Sequence, residues 1–471
     1  MIENIFFMDI FIMTVNNIFM QPNILLLIID SLRSDKFWSP NKTTITPNFD
    51  LLISSGTYFT QAISSSPSTR TAWGSILTGL FSIKNGMSGK SHGKLNSSIT
   101  NYLDVFKKFG YHCFATIPNS VENIGLETYF ENNNIRYPFE LRLWSGLEEQ
   151  INSTFSLIKK SEPWIYLIHL NDLHSPVYAP KEFNNVEFGQ SQYDRVISSI
   201  DSWFGRLLLK LDLTKTCLVI TSDHGDYPKS IEVNGKIINF EDGAAQRKLT
   251  DIGRKIHIPY ELKIKLGRYI RNIRKNFKDS KLDDELSPYQ KRALFGSRMI
   301  HDHRVFDDLL RIPLLFTGYK CGTGEKISSQ VRHVDIFPTL VNIAELPVGS
   351  LKNDGKNLLP IMHGISVDLP VFIETPASIV KQPIFVIGVR TSEYKYFRNR
   401  DDKEKDVVLF DLKKDPFEEK NISDTHPELL IKFEKLLSEI INDQIDEENI
   451  DVMSDDEKQA IEDELKKQGY T

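Results

Sequence analysis

The sequence predicts an α/β protein with a large, mostly parallel central sheet flanked by helices and a smaller C-terminal mixed or antiparallel sheet. Two observations carry this prediction. From Pro22 onward, apolar runs of strand length alternate with helix-length segments, which is typical of a parallel sheet with helices on both faces. Beyond about residue 365 the apolar runs are shorter and are separated by turn residues, which indicates a small mixed or antiparallel unit.

The first predicted elements show how the pattern works. NILLLIID (23–30) is a continuous apolar run that ends on Asp30, as expected of a central parallel strand buried on both faces. TPNFDLLISSG (46–56) predicts a short helix, with Thr46 as its N-cap and Gly56 as its stop. Further strands are predicted in HCFATIP (112–118), WIYLIHL (164–170), TCLVITSD (216–223), IPLLF (312–316), and then in VFIET, PIFVIGVR, YKYFRN and VVLFDL.

The composition is typical of a soluble globular protein that can bury a sizeable core. The 471 residues are 40% hydrophobic, 25% charged and 11% aromatic, which excludes a collagen, a coiled-coil rod and bulk disorder. The formal charge of −6 conceals a basic block at residues 254–278, with nine Lys/Arg against one acid, and an acidic block at residues 441–471, with eleven Asp/Glu against three Lys. The remainder is near neutral, so we expect no nucleic-acid partner.

These patterns divide the chain into segments. We predict an N-terminal extension, a main domain with a basic helical insertion, a small C-terminal subdomain and an acidic terminal helix, at residues 1–19, 20–364 (insertion 227–298), 365–440 and 441–471. Apolar residues recur at helical spacing within the insertion, with Lys and Arg between them. This predicts a basic amphipathic helix that either docks on the core with a solvated charged face or contacts an anionic surface, including a membrane, through residues 254–278.

The N-terminus and the cysteines bear on the compartment. Residues 1–20 are apolar in bulk, but polar residues interrupt them, and they lack a basic leader and a cleavage site. A true start at Met20 and an interfacial amphipathic segment are the two hypotheses for this stretch. Cys113, Cys217 and Cys321 are widely spaced, which favours reduced, structural thiols. We therefore predict a cytoplasmic protein, with peripheral membrane contact as a further option.

Polar, metal-suited side chains follow several of the predicted strands. They are Asp30, the stretch SPSTRTAWGSILTG (66–79), Asp223 with His224, and the HDH sequence at 301–303. Because strand carboxyl ends line the ligand crevice of an open α/β sheet, Asp30, Asp223 and His224 can converge there. Each one alone is a weak signal, since a carboxylate after a strand is often only a helix cap.

Taken in order, these segments resemble a known family. NILLLIIDSLRSDKF, TPNFDLLISSGTYFTQA, SPSTRTAWGSILTG, YLIHLNDLHSPVYAP, VITSDHGD, VFDDLLRIPLLF and HVDIFPTL are similar to the blocks of the sulfatase family of the alkaline phosphatase superfamily. The resemblance covers nearly the whole chain after Pro22 except the insertion. It implies an alkaline phosphatase-like/sulfatase fold, a sulfatase-like catalytic domain, and metal-dependent hydrolysis of sulfate or phosphate esters.

The resemblance also implies roles for individual residues. The family's nucleophile lies eight to ten residues before a Thr-Gly pair, and counting back nine from Thr78 gives Thr69. A hydroxyl at a helix N-terminus suits attack on an anionic group, although Thr69 could instead merely cap a helix that ends at Gly79. The family's metal ligands fall on Asp30, Thr69, Asp223 and His224. They imply a divalent ion, Zn, Mn, Ca or Mg, with His224 favouring the transition metals and one site favoured over two.

Substrate-contacting residues follow from the same alignment. His174, in LHSP, resembles the family's substrate-contacting His, and its alternative is a hydrogen-bonded loop histidine. His301 or His303 precedes VFDDLLRIPLLF, where relatives often carry a site His or Lys. Spacing does not choose between them, and we favour His301. Thr69, His174 and His301 are the expected catalytic residues, and Arg70, His174, His301 and His303 the expected substrate-binding residues.

The sequence also departs from the family pattern. Formylglycine sulfatases carry Cys-x-Pro-Ser-Arg or its Ser variant, but Thr69 is followed by Arg, Thr, Ala and Trp. The family's sulfate-contacting Lys has no counterpart in HCFATIPN, and Ser31 stands where the second Asp is expected. We therefore expect no formylglycine. These departures resemble the Thr-nucleophile branch of the superfamily, whose members act on phosphate mono- and diesters or transfer phospho-head groups.

The chemistry of a threonine nucleophile favours a phosphoester. A threonine adduct must be cleaved by attack at its central atom, and two successive in-line displacements are ordinary for phosphorus. The expected substrate is a small anionic ester, or a glycan or lipid head group. Two alternatives stay open, a transferase of phospho-head groups and a catalytically dead sulfatase-like binding or assembly protein.

Overall fold

A computed structural model of the chain describes residues 21–88, 95–121, 124–174, 177–233, 236–239, 286–295, 305–349, 351–375 and 385–442. The strands are β1 (Asn23–Ile29), β2 (Thr57–Ile63), β3 (His112–Pro118), β4 (Arg136–Tyr137), β5 (Trp164–Leu170), β6 (Thr216–Thr221), β7 (Ser230–Val233), β8 (Lys236–Asn239), β9 (Arg311–Gly318), β10 (Lys326–Arg332), β11 (Val371–Glu374), β12 (Val386–Arg390), β13 (Tyr394–Asn399) and β14 (Val408–Asp411). The α-helices are α1 (Ser34–Phe37), α2 (Pro47–Ser55), α3 (Thr69–Thr78), α4 (Ser82–Asn85), α5 (Tyr102–Lys108), α6 (Leu147–Ile158), α7 (Gln192–Leu208), α8 (Pro288–Phe295), α9 (Asp307–Leu310), α10 (Ile336–Ile343), α11 (Leu359–Met362) and α12 (Pro427–Asn442).

The central sheet has the strand order β10-β2-β9-β6-β1-β5-β3-β4 in the described part of the chain. Strand β1 lies parallel to β5 and β6, and β3 lies parallel to β4 and β5. The predicted large, mostly parallel sheet is therefore confirmed. Strand β9 instead runs antiparallel to both β2 and β6. Its apolar run does not reveal this direction, because it is buried like its parallel neighbours.

Both faces of the central sheet are covered by apolar side chains. Along β1, Ile24, Leu26 and Ile28 belong to one core cluster, whereas Leu25 and Leu27 belong to the cluster on the opposite face. All seven residues of β1 are buried. A strand buried on both faces explains why its sequence is continuously apolar rather than alternating.

A separate small sheet follows, with the order β11-β12-β13-β14 and antiparallel pairing throughout. The helix α12 packs Phe433 and Leu437 into the core of this sheet. The predicted small C-terminal sheet is confirmed, as is the predicted helix after Pro427. The predicted acidic helix beyond α12 lies outside the described residues.

The insertion differs in part from the prediction. No strand was expected within residues 227–298, but β7 and β8 form an antiparallel hairpin there, and α8 follows later. The predicted basic helix and the extension at residues 1–19 lie outside the described residues. Among the helices that the structure does describe, none is both long and apolar enough to cross a membrane.

The three cysteines are buried and form no disulfide. Cys217, on β6, and Cys321, just after β9, nevertheless place their Sγ atoms 3.1 Å apart. This proximity could not be predicted, because the two residues are far apart along the chain and meet only through the pairing of β6 with β9.

Candidate active site

The carboxyl ends of adjacent strands bring the central residues of the site together. In the sheet register, Ile28 on β1 lies opposite Thr221 on β6 and His169 on β5. Asp30 and Asp223 each come two residues after a member of this set, so the two carboxylates leave neighbouring strands at the same edge. Both are buried, at 2% and 0% exposure.

Thr69 faces these carboxylates from the start of α3. Its hydroxyl donates a hydrogen bond to Asp223 Oδ2, with 2.6 Å between the oxygen atoms. The helix runs to Thr78 with Gly79 in the left-handed conformation after it, as the sequence predicted. Ser68 occupies the N-cap position without making a side-chain cap. The Thr69 hydroxyl thus bonds to the carboxylate of Asp223, which follows β6. A residue that only capped its helix would not need this bond.

A third titratable residue joins the two carboxylates. His169, on β5, lies with Nε2 3.8 Å from Asp30 Oδ2 and 4.0 Å from Asp223 Oδ2. One candidate ligand atom from each of these three residues lies within 4.8 Å of the others. His224 approaches from the other side, with Nε2 3.6 Å from Asp223 Oδ2.

Ser31 links the two carboxylates through the turn after β1. Its backbone N–H donates to Asp223 Oδ1 at 3.0 Å, and its hydroxyl donates to Asp30 Oδ1. Ser31 has a φ of 64°, a left-handed conformation that is uncommon for a residue with a side chain. The backbone is therefore turned so that one residue contacts both acids.

Burial and neighbouring charge act in opposite directions on Asp223. Burial raises its pKa, but the charges of His224 and His169 and the hydrogen bond from Thr69 outweigh burial and bring the pKa to about 2. For His169, burial outweighs the neighbouring charges. Burial lowers the pKa of His169, and the negative charges of Asp223 and Asp30, which raise it, do not fully compensate. At neutral pH the site therefore combines an ionised Asp223 with a neutral His169.

The remaining predicted residues are placed less completely. Arg70 is half-buried beside Thr69, and burial lowers its pKa to about 10. His174 is buried after β5, where its ring packs edge-on against Phe139 with 4.8 Å between ring centroids. His301 and His303 lie outside the described residues, so their predicted roles stay predictions.

Sequence reasoning missed His169 and its partner Trp73. Trp73, on α3, donates its indole Nε1–H to His169 Nδ1 at 2.9 Å. His169 lies inside the apolar run WIYLIHL and was interpreted as part of a buried strand. A polar ring in the middle of a fully buried strand must find a partner, and that requirement was the signal available in the sequence.

The described residues fit a divalent cation. Asp30 and Asp223 offer carboxylate oxygens, His224 an imidazole nitrogen and Thr69 a hydroxyl, which are ligand types found at such sites. The buried Nε2 of His169 makes no hydrogen bond within the described part of the chain, so the site holds a polar atom that no described residue satisfies.

The fold is that of the α/β enzymes of the alkaline phosphatase-like superfamily. The chain belongs to the sulfatase family, because the protein-family model described as Sulfatase matches residues 22–346. A second model, N-sulphoglucosamine sulphohydrolase, C-terminal, matches residues 295–446. The chain is accordingly a hydrolase that acts on ester bonds.

One known protein is similar over most of the chain and another over a quarter of it. Arylsulfatase K of Rattus norvegicus is 23% identical over 461 residues, covering 89% of this chain and 78% of the relative. Choline-sulfatase of Rhizobium meliloti (strain 1021) is 28% identical over 121 residues, or 25% of this chain and 22% of the relative.

Solved structures share the fold. A 2-O GAG sulfatase aligns with a TM-score of 0.60 and 16% identity over 90% of this chain and 92% of its own. A protein solved with its substrate D-glucosamine-2-N,6-O-disulfate aligns with a TM-score of 0.60 and 15% identity over 91% and 100%. The phosphonate monoester hydrolase of Agrobacterium radiobacter aligns with a TM-score of 0.60 and 14% identity over 92% and 100%.

Proposed function

We propose that this chain hydrolyses an anionic ester, with a phosphate ester favoured over a sulfate ester, by nucleophilic attack of Thr69. The observation that carries the proposal is the 2.6 Å hydrogen bond from the Thr69 hydroxyl to Asp223 Oδ2, at the N-terminus of α3. The substrate class is an anionic sugar ester, since one structural neighbour was solved with a disulfated glucosamine as its substrate. A lipid head group stays a prediction.

Asp223 and the helix orient the nucleophile. With a pKa near 2, Asp223 is ionised at neutral pH and accepts the hydrogen of the Thr69 hydroxyl. The Thr69 hydroxyl lies at the start of α3, and N–H groups in the first turn of a helix favour a bound anion at its N-terminus.

A divalent ion held by Asp30, Thr69, Asp223 and His224 would lower the pKa of the hydroxyl and offset negative charge on the transferring group. One ion suffices for this ligand set. In our proposal Arg70 binds anionic oxygens of the substrate, and His174 protonates the departing alcohol. His301, with His303 as its neighbour, would serve the same anionic oxygens.

A threonine nucleophile favours phosphorus over sulfur. Attack by Oγ1, whose proton passes to Asp223, breaks the bond to the departing alcohol and leaves the group covalently bound to threonine. Water that gives a proton to His174 must then attack the central atom, and the released threonine takes its proton back from Asp223. A phosphoryl group passes readily through two such displacements. Because a threonine cannot form the aldehyde hydrate of a formylglycine, we expect no aldehyde in the purified chain.

The test is turnover of paired substrates by the purified chain supplied with Mg²⁺, Ca²⁺, Mn²⁺ or Zn²⁺. Nitrophenyl phosphate, bis-nitrophenyl phosphate and nitrophenyl sulfate are compared for wild type, Thr69→Ala and Thr69→Ser. We expect Thr69→Ala to lose more than about 10³-fold in turnover, with Thr69→Ser partly active, because only alanine lacks the hydroxyl. Thr71→Ser is the matched control in the same helix turn, since the Thr71 hydroxyl bonds to the Met87 carbonyl instead.

Three outcomes separate the alternatives. A phosphate or sulfate adduct on the peptide that contains Thr69, found by mass spectrometry, supports the nucleophile. Full activity in Thr69→Ala, or labelling of wild type by an aldehyde-reactive hydrazide, contradicts it. A folded wild type that turns over none of the substrates with any ion favours the binding or assembly protein.

A further inference from the structure

Two histidines flank the carboxylates of the site, and their hydrogen bonds place them in opposite tautomers. His224 Nδ1 lies 2.8 Å from the carbonyl oxygen of Gly225. A carbonyl oxygen only accepts, so Nδ1 carries the hydrogen and Nε2 of the neutral ring has a free lone pair. This is the arrangement of a metal-binding histidine, whose second nitrogen donates to a carbonyl or carboxylate.

His169 has the reverse arrangement. Its Nδ1 lies 2.9 Å from Trp73 Nε1, and an indole nitrogen only donates. Nδ1 must therefore supply the lone pair, and the hydrogen of the neutral ring sits on Nε2. To bind a metal through Nε2, the ring would need its hydrogen on Nδ1, directly against the indole N–H.

Packing keeps Trp73 in place. Trp73 and His169 are both 0% exposed, and their rings stack at 28° with 5.8 Å between centroids. Trp73 also belongs to the core cluster under α3. Turning the indole away from His169 would disrupt that packing, so the hydrogen bond is a fixed feature of the site.

We propose that His169 is a hydrogen-bond donor at the metal site and not a metal ligand. The inference rests on the proposed function, because it concerns the same site. The Nε2 atom of His169, which carries the hydrogen, lies 3.8 Å from Asp30 Oδ2 and 4.0 Å from Asp223 Oδ2. His169 thus acts as a positioning residue, which directs a positive dipole toward the two acids.

This assignment defines the class of ion. With His169 excluded, the ligands are two carboxylates, the Thr69 oxygen and a single nitrogen from His224. A set with mainly oxygen atoms suits Mg²⁺, Ca²⁺ or Mn²⁺, whereas a second imidazole would shift the preference toward Zn²⁺. Trp73 would therefore select the metal indirectly, through the tautomer of His169.

The first experiment measures metal affinity without substrate. The full chain is stripped with a chelator and titrated with Ca²⁺, Mn²⁺ and Zn²⁺ against a competing indicator dye. His224→Gln should weaken binding at least about tenfold, whereas His169→Gln, which keeps an N–H donor, should change it less than about threefold. Equal losses in the two variants, or no ion bound by wild type, would overturn the proposal.

The second experiment reads the tautomer directly and does not depend on a variant that binds metal. Ring ¹⁵N signals of histidine-labelled wild type, with His169 assigned from His169→Gln, should show Nε2–H both with and without the ion. Trp73→Phe should populate the Nδ1–H form. The donor role of His169 would be refuted by a ring signal that shifts as a directly coordinated nitrogen does, or by a tautomer that is unchanged in Trp73→Phe. A chain that binds metal without His169 as a ligand but hydrolyses no ester would instead contradict the proposed function alone.

Discussion

Asp172 is a buried carboxyl group just after β5, near the site but separate from its carboxylate pair. Its Oδ1 accepts a hydrogen bond from the Leu143 backbone N–H at 3.0 Å, and its Oδ2 has no hydrogen-bond partner within the described residues. Burial raises the pKa of Asp172 to about 6, and the nearby charge of Arg142 only partly opposes this. The folded protein therefore holds a proton on Asp172 at a pH where the unfolded chain has released it.

The free energy of unfolding should therefore depend on pH. Because the folded pKa is higher than the unfolded one, the free energy of unfolding falls as pH rises from about 4 to about 6, by up to about 3 kcal/mol. Asp172→Asn cannot ionise, so it should become more stable relative to wild type by about 2–3 kcal/mol between about pH 4 and about pH 7.5. Urea unfolding at the two pH values measures this. The exposed change Asp401→Asn is the control. The prediction would be contradicted if the difference in free energy of unfolding between Asp172→Asn and wild type did not change with pH.

At the scale of single residues, the sequence located the acids but not the histidine between them. Asp30 and Asp223 follow obvious apolar strands, and the structure places Thr69 and His224 beside Asp223. His169 could not be assigned in this way, because its role depends on an indole donor from a helix almost 100 positions earlier. Tertiary contacts of this kind leave no local pattern in the sequence.

Among the elements, the turn after β1 depends on the unusual backbone of Ser31. Its N–H and hydroxyl contact both acids only because φ is positive, at 64°. A side chain in this conformation costs about 1–2 kcal/mol, which glycine avoids at the expense of greater freedom in the unfolded chain.

We predict that Ser31→Gly is more stable than Ser31→Ala by about 0.5–1 kcal/mol, since alanine keeps the Cβ and glycine does not. Both variants lose the hydroxyl donor to Asp30, so metal affinity should fall equally in both. Thermal melting and dye competition measure the two effects. Equal melting temperatures of Ser31→Gly and Ser31→Ala would show that the turn is unstrained. Unequal metal affinities of the two variants would show that loss of the hydroxyl does not explain the weaker metal binding.

The continuously apolar strands of the central sheet were predictable, and two strands of mixed polarity were not. The strands β1, β5 and β6 are continuous apolar runs, whereas β2 and β10 mix polar and apolar residues and were not predicted. The start of α2 was predicted correctly, but Thr46 makes no side-chain cap. Asp201 of α7 accepts the N–H of Phe49 at 2.8 Å instead, and such a partner cannot be found from local sequence.

On the scale of the whole molecule, a buried charge cluster joins the two sheets. Lys395, on β13, is 0% exposed and lies 2.5 Å from both Asp307 Oδ1 of α9 and Glu418 Oε1. Arg390, on β12, also pairs with Asp307 at 2.7 Å. The cations hold the pKa of Asp307 well below its usual range although burial opposes this, whereas burial raises that of Glu418 to about 6.

Removing the buried cation should be severe. Lys395→Met leaves Asp307 and Glu418 short of a counter-charge in a buried place, so we expect a loss of about 3–5 kcal/mol in the free energy of unfolding. Lys414→Met, which removes an 84% exposed lysine paired with Asp411, should leave the free energy of unfolding essentially unchanged. Denaturant unfolding of both variants is the measurement, and a Lys395→Met chain that unfolds like Lys414→Met would refute the role of the cluster.

Asp308, next to Asp307, connects the buried charge cluster to the candidate site. Asp308 Oδ1 pairs with Arg33 at 2.9 Å, and Arg33 donates to the Asp226 carbonyl at 2.6 Å. The Asp308 carbonyl oxygen would lie 2.2 Å from a Cβ at Gly225, directly after His224. Two consecutive aspartates thus contact the small sheet on one side and the loop of Asp223 and His224 on the other. A chain truncated before β13 would lose Lys395 and Glu418, and with them part of the packing that supports this loop.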